Sequence, residues 1–126
     1  MDDVSERGVL AEMTRLASAI AFMLLTAAPA SATALSVDWK PLTMSLDACV
    51  ALADRAMRGQ GLDVYYSGQK TDANGTYGYA WGRNAKFIMG VDCVQRQSIV
   101  FFAIASDETV SSEDRVAVRD AVSGQF

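Results

Sequence analysis

The sequence predicts an α+β fold: a small β-α-β-β-β-α domain, built as an antiparallel meander sheet with an N-terminal helix disulfide-linked to it and a short C-terminal helix. Three observations carry that expectation. Two segments repeat apolar residues at three- and four-residue spacing, the mark of amphipathic helices. Between them, runs rich in β-branched and aromatic residues are separated by short turn sequences, the mark of antiparallel strands. The only two cysteines, Cys49 and Cys93, fall one in the first helical segment and one in a strand.

LSVDWKPLTM, Leu35 to Met44, alternates imperfectly and contains Pro41, which reads as an extended edge segment. Ser45 then supplies a helix N-cap, and Asp47 in the first turn complements the helix dipole. The helix SLDACVALADRAMRGQG places Leu46, Cys49, Val50, Ala53, Ala56 and Met57 on one face, and Gly59 and Gly61 end it. A short strand LDVYYSG, a polar loop QKTDANG, and the strands TYGYAW, KFIMGVDCV and SIVFFAIA follow, with turns near GRNA and QRQ. SDETVSSEDRVAVRDAVSGQF closes the chain as a short helix, with Ser112 as N-cap and Val118, Ala121 and Val122 on one face.

Residues 1–32 are expected to be a secretory signal peptide, and residues 33–126 a single disulfide-bonded exported domain. From Met13 the chain reads MTRLASAIAFMLLTAAPASA: Arg15, an apolar segment, then small residues with an A-x-A cleavage site at Ala30 to Ala32. That segment is shorter than the roughly 20 residues a membrane span needs. Asp2, Asp3, Glu6 and Glu12 suit such a peptide poorly, so Met13 is the expected start. The alanine-rich leader points to bacterial export, to the periplasm or medium.

Composition excludes several classes of function. The chain has no histidine, which removes Ser-His and Cys-His catalysis, imidazole base chemistry and the usual zinc sites. Residues 33–126 carry nine basic and eleven acidic side chains, a net charge of -2, with no basic patch for nucleic acid. Neither a metal nor a cofactor is expected. Gly75, Gly78 and Gly82 match neither dinucleotide nor P-loop spacing, and Asn74-Gly75-Thr76 reads as a turn rather than a glycosylation site. Among the carboxylates, Asp63, Asp72, Asp92, Asp107 and Glu108 show no spacing that singles out a catalytic pair. Asp92 lies within the apolar run FIMGVDCV and must reach water or a partner, which an outward strand position allows.

Cys49 and Cys93 are expected to form a structural bridge, because catalytic dithiols sit close together as C-x-x-C. Cys93 then points toward the first helix, and so do Phe87, Met89 and Val91. The candidate binding residues are Tyr77, Tyr79 and Trp81, in GTYGYAWGRN, and their direction depends on the next turn. A turn at Gly82 to Ala85 pairs Ala80 with Phe87, Gly78 with Met89 and Tyr79 with Ile88, and turns the rings away from the helix. A three-residue loop with Asn84 left-handed pairs Tyr79 with Phe87 and turns every ring inward. The first register is expected, since Gly78 and Ala80 let the helix approach while Phe87 and Met89 fill the space.

SIVFFAIA is apolar on both sides and must be covered on both, by the last helix, a second subunit or a partner. The expected role is therefore a non-enzymatic exported module that binds a protein or another envelope component through the aromatic face. The alternatives are a homodimeric envelope protein and a small carboxylate-dependent enzyme.

Overall fold

The computed structural model describes residues 33–126; the expected signal peptide, its cleavage site and the Met13 start lie outside the described residues. In chain order the elements are β1 (Thr33–Pro41), α1 (Leu46–Gly59), β2 (Asp63–Asp72), β3 (Gly75–Arg83), β4 (Phe87–Val94), β5 (Ile99–Asp107) and α2 (Ser112–Ser123). The sheet is antiparallel with strand order β1-β5-β4-β3-β2. After β1, helix α1 carries the chain to the opposite edge, and the meander returns strand by strand until β5 pairs with β1.

The order is β-α-β-β-β-β-α: each of the five extended segments named from the sequence contains a strand, so the expected order β-α-β-β-β-α was one strand short, and β2 extends past LDVYYSG to Asp72. The segment read as the polar loop QKTDANG is mostly strand: Gln69 to Asp72 pair with β3, and only Ala73 and Asn74 turn. An edge strand can be polar on both sides because its outer side is wet. Here Thr71 and Thr76 share a hydroxyl hydrogen bond across the pair, Gln69 donates to Asp47 on α1, and Asp72 accepts the Asn74 N–H to set the turn.

Helix α1 begins as expected, with Ser45 Oγ accepting from Ala48 N–H. It ends in a Schellman motif: Gly61 takes φ 77°, its N–H reaches Arg58 O, and Leu62 N–H reaches Met57 O. A side chain at Gly61 would strain that left-handed turn, and Leu62, the next residue, folds back into the core. Helix α2 is capped one residue earlier than expected, by Ser111, whose Oγ accepts from Asp114 N–H. With Ser111 in that role, Ser112 is the first helical residue.

Both helices pack on the same face of the sheet. Strand alternation gives that face Met89, Val91 and Cys93 from β4 and Val100, Phe102 and Ile104 from β5, all fully buried. Helix α1 lies over β2, β3 and β4, and the Cys49–Cys93 bridge ties it to β4 with Cα atoms 6.4 Å apart. The same helix meets β3 at two glycines: a side chain at Gly78 would collide with Val50, and one at Gly82 would crowd Met57 and Leu62. Helix α2 covers β1 and β5. Its half of the layer is tied by polar contacts: buried Arg115 donates to Ser36 Oγ and Ser106 Oγ, and Ser123 donates to Asp38.

The β3–β4 register differs from the expected one. Ala80 faces Val91, Gly78 faces Cys93 and Tyr79 faces Asp92, so the pairing is displaced by four residues. The cause is Asn84. Its Oδ1 accepts from the N–H groups of Lys86 and Phe87, and its own N–H donates to Phe87 O, so the turn occupies Asn84 to Lys86. Gly82 and Arg83 consequently remain in β3. An even displacement keeps every side chain on its face, so the rings do turn away from α1.

Candidate functional site

Because α2 joins α1 on one face, the opposite face of the five-stranded sheet has no covering layer among the described residues. Of the three covers named for the outer side of SIVFFAIA, the last helix is not the one: an amphipathic helix needs one apolar face, and α2 finds it beside α1. Cross-strand pairing assembles this open face in rows. Val37, Ala103, Gly90, Trp81 and Tyr66 form one row; Trp39, Phe101, Asp92, Tyr79 and Gly68 form the next.

Tyr77, Tyr79 and Trp81 all lie on the open face, but they lie down on it. Trp81 faces Gly90 across the β3–β4 pair, and a Cβ built at Gly90 would be 2.9 Å from the indole. Tyr79 faces Gly68 on the other side, where a built Cβ would be 3.1 Å from the phenol oxygen. Glycine leaves main chain bare, and each ring covers it. Tyr66 stacks on Tyr79 with centroids 4.7 Å apart, and Tyr77 tilts against Tyr79 at 6.2 Å. The three expected binding rings are therefore half-buried by their own sheet.

The most exposed large apolar side chains are elsewhere on the same face. Leu35 is 64% exposed and Trp39 61%, both on β1, with Val37 between them at 48%. Sequence reasoning does not single out these residues. Their signal was the alternation of LSVDW, which identifies a shared face but not the strand beside it. Next to them, Phe101 and Ile88 continue the apolar surface, and a β-bulge at Tyr65 separates the paired residues Val64 and Tyr66. At that end Arg83 sits over the Tyr65 ring, 4.6 Å from its centroid.

Asp92 is half-buried in the middle of this surface, between Phe101 and Tyr79, and burial pushes its carboxyl above the ordinary carboxylate range. It also borders a cavity of about 190 Å³ at the β2–β3 hairpin end, shared with Asp72, Tyr77 and Arg96. Of the other acids, Asp107 sits in a turn, where it accepts from Thr109, and Asp63 lies 3.9 Å from Arg58. Hydrogen bonding from Thr109 holds the Asp107 carboxyl below the usual range. Among the described residues no three acidic or sulfur ligands converge on a metal position, and no helix is long and apolar enough to cross a membrane.

The raised Asp92 value makes a stability prediction with a definite sign. The folded chain holds this proton more tightly than the unfolded chain, so ionised Asp92 costs stability above its folded pKa. That cost is absent below the unfolded value, about 3.9. Asp92→Asn is expected to raise the melting temperature of dilute protein near neutral pH, with the gain shrinking to nothing as pH falls below that value. Melts of both proteins across the acid range check it.

No protein-family model matches the chain, and no curated protein matches it.

Proposed function

We propose that this chain is an exported, non-enzymatic binding module whose open sheet face docks on a protein surface in the bacterial envelope or medium. The observation that carries this reading is the placement of both helices on one side, which leaves Leu35, Val37, Trp39 and Tyr66 exposed on the other. Five strands about 4.8 Å apart, with outward residues every 6.8 Å or so, give a face of roughly 650 Å². A contiguous apolar surface of several hundred Å² marks an interaction site. Trp and Tyr contribute large contact areas at little entropic cost, and rings already seated on glycine lose less freedom on binding.

The leader at residues 1–32 and the Cys49–Cys93 bridge both suit an oxidising compartment outside the cytoplasm. The carboxylate-enzyme reading draws on the cavity beside Asp92, Tyr77 and Arg96. Its groups line the hairpin end of the sheet, so a Tyr77→Phe, Asp92→Asn chain separates it from docking through β1.

The test is capture of partners from the envelope fraction by immobilised wild type, Trp39→Lys, and a Tyr79→Ala, Trp81→Ala variant. All three are first verified as folded by circular dichroism. Capture is expected to fall at least tenfold with Trp39→Lys and several-fold with the double variant. Equal capture by all three would reject the docking face.

A further inference from the structure

Resting on the docking reading, we infer the chemistry of the partner: it presents a lysine or arginine side chain to the Asp92 carboxylate, between the rings of Tyr77, Tyr79 and Phe101.

Among the described residues, Asp92 is the one charged side chain in the interior of the open face. Arg83 and Asp107 stand at strand ends, and Lys70 and Asp72 on the edge strand β2. Strand pairing sets Asp92 between Phe101 on β5 and Tyr79 on β3, with Tyr77 one diagonal away. Within the described residues no cation lies at ion-pair distance from its carboxylate. Burial is the only cause of its raised proton affinity, so no neighbouring positive charge offsets the lost hydration. No unpartnered side-chain oxygen is sealed from solvent among these residues, which leaves the carboxylate open to a ligand.

Charge complementarity then selects the occupant. A wholly apolar partner closing on this face would strip water from an ionised carboxylate and return nothing to it. A metal ion needs more ligands than one carboxylate, and no group of three gathers there among the described residues. An ammonium or guanidinium meets both demands of the site, because it pairs with the carboxylate and is attracted to the ring faces beside it. The same attraction already operates at the edge of the face, where Arg83 sits 4.6 Å from the Tyr65 ring centroid.

The cavity beside Asp92 and Tyr77 has a volume of about 190 Å³. That is the space of about six waters, enough for one long side chain. It falls short of the roughly 300 Å³ at which small-molecule pockets begin. The turn residues Asp72 and Arg96 line its other end, where Arg96 donates to the Asn74 carbonyl at 3.5 Å. Asp92 weakens the free fold, but paired across an interface it excludes partners that lack the matching charge.

The test uses three peptides: acetyl-Leu-Lys-Leu-amide, acetyl-Leu-Arg-Leu-amide and, as an uncharged isostere, acetyl-Leu-norleucine-Leu-amide. Each is titrated into oxidised wild type, Asp92→Asn and Asp92→Glu, and the NMR shifts of β3, β4 and β5 are followed. Wild type is expected to bind the two cationic peptides in the millimolar range, about tenfold tighter than the norleucine peptide. Asp92→Asn should abolish that preference, Asp92→Glu should keep it, and added salt should weaken it. Since Asp92→Asn is expected to be the more stable protein, its lost preference is not a loss of fold.

Equal binding of all three peptides, no shift at millimolar peptide, or a preference that survives Asp92→Asn overturns the cation site. Envelope capture separates this failure from that of the docking reading. Capture lost with Trp39→Lys but undiminished by Asp92→Asn leaves the docking face standing and overturns its cationic occupant. Capture indifferent to both substitutions overturns the face as well. A wild-type dimer in sedimentation velocity that Asp92→Asn tightens would give the face to a second copy, and that too overturns the inference.

Discussion

Replacing Cys49 and Cys93 together by serine is expected to destabilise the domain by about 4 kcal/mol, the loop-closure entropy for the 44-residue separation they span. Both cysteines are fully buried between α1 and β4, so the serine hydroxyls add a desolvation cost to the entropic one. Domains of this size are stable by only about 5–15 kcal/mol, so the bridge is a large fraction of the total. At about 4–8 °C per kcal/mol, the melting temperature should fall by roughly 15–30 °C. Thermal melts of the oxidised protein and the double serine variant measure this. The reduced protein, which keeps both sulfur atoms but not the bond, separates their packing from the cross-link itself. A shift of only a few degrees would show that α1 is held by packing alone.

The second large effect is at Gly78. A Cβ there would come within 2.5 Å of Val50 Cγ2, and it would also approach Leu46 O and Cys93 Cβ at 3.6 Å. Helix and sheet meet backbone to side chain at this point, beside the disulfide. Gly78→Ala is therefore expected to cost about 1–3 kcal/mol through overpacking, although alanine lowers the entropy of the unfolded chain. Shortening the opposing side chain should recover part of the loss. In a double-mutant cycle, Gly78→Ala with Val50→Ala should be more stable than the sum of the single effects, with a coupling of about 0.5–3 kcal/mol. Additive effects would mean that α1 does not press on β3 there.

Those two contacts also show what the sequence makes legible. The apolar spacing of Leu46, Cys49, Ala53 and Met57 identifies the inner face of α1, and an even cysteine count joins that face to β4. With Cys93 pointing inward, alternation places Phe87, Met89 and Val91 correctly and sends the rings of Tyr77, Tyr79 and Trp81 to the other side. The register itself was not legible, because it turns on whether Asn84 closes the loop with its side chain. Turn residues announce a turn more clearly than they announce which of them is first.

Two further features depended on tertiary partners. The polar end of β2 reads as loop because strand patterns are recognised by burial, and an edge strand has little of it. The face chosen by α2 cannot be read from its own apolar stripe, which would fit either side of β5 equally. That choice decides the site. Had α2 crossed to the other face, the aromatic row would be core; on the same face as α1, it becomes surface and gains Leu35, Val37 and Trp39 as neighbours.

A docking module has its open face covered when it is at work. Carbene footprinting in the envelope extract, compared with dilute purified protein, measures this directly at each side chain. Labelling of Leu35, Val37, Trp39 and Tyr66 is predicted to fall several-fold in the extract, while the outer surface of α1, including Asp47 and Arg55, labels equally in both. Unchanged labelling of the sheet face, or protection confined to the helical side, would contradict the account.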